Sequence, residues 1–159
     1  RRLLEPFFAP TFVKNYVHVM DGTTREELKK WSDTGMFLSR EVFKRYALRL
    51  FYVSAFGLVD DEDTLTRLHD DFTTWIGGFF TVTGTTRIPG TGFDEAMKAR
   101  ERILEVVDGL IDKFERENPE GSERAGTTIV GCLVYGKDGN ERALSRSEMK
   151  DNILNLIFA

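Results

Sequence analysis

Cysteine is almost missing from this chain: Cys132 stands alone among 159 residues. That excludes an intramolecular disulfide framework and any zinc site built on several thiolates, so the fold must rest on its core. Positive charge is not in excess either. With 22 Lys and Arg against 26 Asp and Glu, the formal net charge is -4. A sequence-independent nucleic-acid binder needs the opposite balance on one face. Long apolar runs are absent too: no stretch approaches the roughly 18 uncharged residues that cross a bilayer. The opening Arg1-Arg2-Leu3-Leu4-Glu5-Pro6 lacks a signal peptide's apolar centre and cleavage site. Histidine is scarce, and His18 and His69 have no partner at ligand spacing, so no metal site is built from them.

What is present is helical period. Phe12, Tyr16 and Met20 recur every four residues, and Leu28 and Trp31 extend the stripe past Gly22. Ser39 is a good N-cap for a second helix, with Val42, Phe43, Tyr46, Leu50 and Val53 on one side and Gly57 as its stop. The acidic run Asp60-Asp61-Glu62-Asp63 suits a helix N-terminus. Beyond it Leu65, Leu68, Phe72, Trp75, Ile76, Phe79 and Phe80 form a wide aromatic stripe. Thr81 to Gly92, with its glycines and Pro89, reads as a loop.

Thr91 and Asp94 then have the spacing of a capping box, ahead of a long amphipathic helix carried by Phe93, Ala96, Ile103, Val107, Ile111 and Phe114 to Asn118-Pro119-Glu120-Gly121. Ile129 to Tyr135 fits a short helix or a strand, and its helical surroundings favour helix. Ser145 and Glu148 make a second capping box for the final helix. No repeat, low-complexity tract or linker divides the chain, so residues 1–159 read as a single partial domain of the all-α class. Both ends suggest truncation, because neither carries the capping residues of a natural helix end.

Four segments in order carry a resemblance. Arg1-Arg2-Leu3-Leu4-Glu5-Pro6-Phe7-Phe8-Ala9-Pro10 resembles the end of helix C in the cytochromes P-450. Phe72 to Phe80, followed by Ile88-Pro89-Gly90-Thr91-Gly92-Phe93, resembles helix F and its exit loop. The Pro-Gly-Thr-x-Phe form, with Ala96 and Lys98-Ala99-Arg100 after it, is similar to the branch holding steroid, retinoid and related terpenoid hydroxylases. Leu144 to Ala159 resembles the first half of helix I, which in the family continues into the residues that handle oxygen and protons above the iron.

The resemblance implies a partial cytochrome P-450 fold, containing the end of helix C, helices D, E, F, G and H and the start of I, cut from the catalytic domain of a monooxygenase. It implies haem b with an axial Cys outside this chain, since Cys132 in Ile129-Val130-Gly131-Cys132-Leu133-Val134 has none of the features of the family's ligand loop. The intact parent is then an enzyme that hydroxylates a hydrophobic terpenoid-, sterol- or retinoid-like substrate, and the isolated fragment is inactive. Dioxygen and electrons would be needed, the latter from NADPH or ferredoxin through a reductase or ferredoxin partner, with no nucleic acid involved.

Residue roles follow from the same resemblance. Arg1 would pair with a haem propionate, and Ala159 would pack over the haem face. Phe79, Phe80, Thr83 and Ile88 fall in the segment that contacts substrate, and Asn155 is placed on the pocket side of its helix, with Leu154, Ile157 and Phe158 assigned mostly to the core. No catalytic residue and no metal ligand is assigned within the chain. The parent is expected to be intracellular, and any attachment to an endoplasmic-reticulum or plastid membrane would come through residues upstream of Arg1. Composition and amphipathicity equally allow a non-enzymatic helical ligand-binding domain, or an interaction domain pairing through the last helix.

Overall fold

A computed structural model of the chain describes residues 5–56, 62–81, 86–137 and 142–158. Within them a short 3-10 turn, Glu5–Phe8, leads into α1 (Pro10–Thr34) and α2 (Ser39–Phe56). Next come α3 (Glu62–Gly77) with a 3-10 turn at Gly78–Phe80, then α4 (Gly92–Glu117), α5 (Glu123–Thr127), α6 (Ile129–Tyr135) and α7 (Arg146–Phe158). Among the described residues the only β pairing is an isolated antiparallel bridge between Lys137 and Ala143. The all-α expectation holds. The chain forms two compact units, Arg1–Val59 with Leu110–Ala159, and Asp60–Gly109.

In the first unit α1 has no side-chain cap at Ala9, and Pro10 opens it where a missing N–H costs nothing. It ends at Gly35, whose φ of 75 a side chain would resist. Its predicted stripe is only partly core: Tyr16 is buried, whereas Met20 and Leu28 are exposed. Trp31 stands at the far end, with the rings of Phe43 and Tyr46 edge-on at centroid distances of 5.5 Å each.

α2 packs on α1 through a buried cation. Arg49 lies between Glu27 (2.9 Å) and Glu26 (3.1 Å), and a Thr24 to Tyr46 hydroxyl pair at 2.6 Å closes the same seam. Leaving the guanidinium buried with neither acid would be strongly destabilising. Behind it Leu48, Tyr52, Val53 and Phe56 join Ile111, Val130, Leu133, Ile153 and Leu154 in the core, each worth about 1.5–3 kcal/mol when fully buried. A Cβ on Gly131 would meet the Ala125 carbonyl oxygen at 2.3 Å, so α5 and α6 are pressed together at a glycine. α6 resolves the helix-or-strand alternative for Ile129–Tyr135 in favour of helix.

The second unit pairs α3 with α4 as far as Gly109. Leu65 and Leu68 of α3 are buried, as are Ala96, Ala99, Ile103 and Val107 of α4, spaced by three or four as an amphipathic face requires. The turn after α3 approaches closely: a Cβ on Gly78 would lie 2.2 Å from the Ala96 Cβ, and one on Gly92 would lie 2.9 Å from Thr81 Cγ2. Arg102 adds a two-pronged bond to Asp71 at 2.9 and 2.5 Å.

Candidate functional site

The residues assigned to substrate separate by position. Phe79 and Phe80, in the turn that ends α3, are 63% and 86% exposed, and Ile88 is 48% exposed. All three belong to the second unit. Phe79 leans on Trp75 with ring centroids 6.2 Å apart, and Trp75 on Phe72 at 5.9 Å. The aromatic stripe of α3 therefore begins in the core at Leu65 and Leu68 and finishes in the open. Asn155 is exposed on α7 in the first unit, while Ile153 and Leu154 beside it are buried. Arg1, Thr83 and Ala159 lie outside the described residues, as does the Phe158 side chain.

Ile88 is carried by a tight turn. Pro89 follows it, Gly90 has φ of 80, and the Thr91 N–H donates to the Ile88 carbonyl at 3.2 Å. Proline second and a positive-φ glycine third define a type II turn. The Thr91 hydroxyl also donates to the Ile88 carbonyl, at 2.7 Å.

Asp94 departs from the capping-box expectation here. Its own N–H reaches the Thr91 hydroxyl at 3.4 Å, a long bond, but its carboxylate turns back toward the turn. Oδ1 accepts from Arg87 Nε at 2.9 Å, and Oδ2 accepts from the Gly90 N–H at 3.1 Å and from Lys98 Nζ at 2.9 Å. Arg87 also donates to Glu101 at 2.7 Å. Lys98 and Arg87, with the Gly90 N–H, hold the Asp94 carboxyl down to about 2, well below the usual carboxylate range. The sequence carried the ingredients, a Pro-Gly turn with Arg87 seven residues before Asp94 and Lys98 four after it. Period and capping rules do not register such a link.

In the first unit a groove of about 390 Å³ is lined by Tyr16, His18, Val53, Ser54, Arg124 and Thr128, among others. Burial raises the Tyr16 hydroxyl to about 12, so it is protonated at neutral pH. None of the described residues assigned to substrate lines it.

Cys132 is the thiol to test against a haem-thiolate centre. It is half-buried on α6, and burial pushes it up to about 11, so it remains a thiol at neutral pH. Among the described residues no group of three or more His, Cys, Asp or Glu could hold a metal ion. As a protonated thiol within α6, Cys132 is not in the thiolate form that an axial haem ligand takes. No described helix is long and apolar enough to cross a membrane.

No family model matches the chain. Individual relatives do, along its whole length. An abscisic acid 8′-hydroxylase of Arabidopsis thaliana is 30% identical over all of this chain and 32% of its own length. A β-amyrin 28-monooxygenase of Medicago truncatula is 27% identical over 99% of the chain and 33% of its own. The fold agrees: the retinoic acid-bound cyanobacterial CYP120A1 superposes with a TM-score of 0.80 at 24% identity, over 99% of this chain and 34% of that one. The chain is thus similar in sequence to cytochromes P-450 along its whole length, and shares the fold of one of them. It spans about a third of the length of the curated relatives it matches.

Proposed function

We propose that the chain is part of a haem-thiolate monooxygenase that hydroxylates an apolar terpenoid-, sterol- or retinoid-like molecule. Haem b would be held by a cysteine beyond this chain, and electrons from NADPH or ferredoxin would arrive through a redox partner. The observation that carries the substrate class is the exposure of Phe79 and Phe80 at the end of α3, near in sequence to the exposed Ile88. Large apolar side chains held out of a unit's own core suit contact with an apolar ligand. Relatives named for hydroxylating abscisic acid and for monooxygenation of β-amyrin support the same class.

Arg1 as a propionate partner, Ala159 over the haem face, and Thr83 and Asn155 beside the substrate remain part of this proposal. When bound, haem would supply activated dioxygen; this chain's part would be to enclose and orient the substrate. An interaction domain pairing through its last helix fits less well, because α7 already buries Ile153 and Leu154 within its own unit.

The test is to express the full-length protein and record the reduced carbon monoxide difference spectrum, then titrate it with abscisic acid, β-amyrin and retinoic acid. A thiolate-type Soret band with a spin-state shift for one of these ligands is expected. A protein that binds no haem sinks the enzymatic reading. A haem protein that responds only to polar ligands sinks the substrate class alone.

A further inference from the structure

We propose that Asp94 is a positioning residue: its carboxylate clasps the segment Thr86–Thr91 onto the first turns of α4 and so fixes where Ile88 stands. The role of Ile88 toward substrate rests on the reading above; the clasp itself does not.

The clasp follows from what the segment lacks. Thr86, Arg87, Ile88, Pro89 and Gly90 are all exposed, so little apolar burial holds them down. Segments with few buried contacts open at low free-energy cost. Against that, one carboxylate grips the segment on both sides of Ile88-Pro89, at the Arg87 side chain and at the Gly90 backbone. The Asp94 side chain is 6% exposed, whereas Arg87 and Lys98 are each 44% exposed. The anchor is thus enclosed and its partners reach in from solvent. Glu101 holds the other arm of Arg87 a further two turns along α4, which stops the guanidinium from swinging away with the segment.

Ordinary helix capping needs none of this. A cap accepts from the free N–H groups of the first turn, but Asp94 accepts from Gly90, two residues before the helix begins. An aspartate in the third position of α4 is therefore aimed outward at the preceding turn. A neutral amide of the same shape could keep one of these bonds and would lose the attraction for two cations at once.

The experiment uses the full-length protein with two readouts. Trypsin cuts after arginine, so the initial rate of cleavage at the Arg87–Ile88 bond reports release of the segment, with cleavage after Lys29 and Lys30 on α1 as an internal reference. Asp94→Ala is expected to raise the Arg87–Ile88 rate about tenfold over the reference, Asp94→Asn and Glu101→Gln to raise it less, and Asp94→Glu to restore part of the protection. Equal acceleration at all sites would mean general loosening and would overturn the clasp, as would no acceleration in any variant.

The second readout is the dissociation constant of the best apolar ligand by Soret titration, in variants whose haem content and ligand-free spectrum match the parent. A several-fold weakening in Asp94→Ala, partly recovered in Asp94→Glu, is expected. Faster cleavage with unchanged ligand affinity would keep the clasp and overturn the role of Ile88 toward substrate. Absence of haem in the unsubstituted protein would sink the functional reading while leaving the cleavage result standing.

Discussion

α4 and α7 begin in different ways, although each has an acid three residues after a hydroxyl. At α7 the box is reciprocal. The Ser145 N–H donates to Glu148 at 2.8 Å, and the Glu148 N–H reaches the Ser145 hydroxyl at 3.3 Å. Arg142 joins from outside at 2.7 Å, and with the Ser145 contacts it holds the Glu148 carboxyl down to about 2. Arg146 then ties the helix to Asp112 and, at 3.2 Å, to Glu115 of α4. At α4 the acid instead faces backward onto the turn before it. One arrangement stabilises its own helix; the other uses the helix as a mount for a neighbouring segment. The same local pattern can therefore serve either end, and the position of nearby cations decides which.

The largest effect should come from the packing beneath α4. Gly78→Leu would drive a side chain into Ala96 and should cost the second unit about 1–3 kcal/mol or more, read as a lower urea midpoint. Ala96→Gly in the same protein should recover part of it. Full stability of the double variant's parent Gly78→Leu would show that the turn can move away from α4.

Next is acid. Because the Asp94 carboxyl is depressed to about 2, the clasp contributes in full above the ordinary carboxylate range and is lost as pH falls through about 2. Cleavage by an acid protease within Thr86–Thr91 should rise over that window, and Asp94→Ala should be insensitive to it. At α7, Ser145→Ala should cost about 1 kcal/mol through loss of the cap, seen as faster amide exchange in the first turn. Salt should give the smallest effect and the sharpest contrast. The Glu148 side chain is 40% exposed and should weaken in molar salt, whereas the enclosed Asp94 should keep its bonds. Equal salt sensitivity would erase the distinction drawn here.

Much of the helical frame was legible in the sequence because caps and stops are local. The start of α2, the long face of α4 and the Ser145 box all lie within a few residues of what marks them, although Ser39 is the first residue of α2 and Leu38, not Ser39, stands before it. α5 escaped notice because five residues carry no period. The outward faces of Met20 and Leu28 were not legible, because a stripe marks helical period without saying what covers it. At the candidate site, the aromatic run to Phe80 was visible but its exposure was not. The Asp94 clasp depends on a turn geometry that brings Arg87 and Gly90 to one carboxylate, and only a folded backbone supplies that.

The half-buried, protonated state of Cys132 has a practical side. The thiolate, not the thiol, attacks an alkylating reagent, so at neutral pH this sulfur should label slowly. A cysteine introduced at Thr86, exposed on the clasped segment, would react first. A fluorophore there could follow opening and closing in real time, with the native thiol of this chain left in place as a silent bystander.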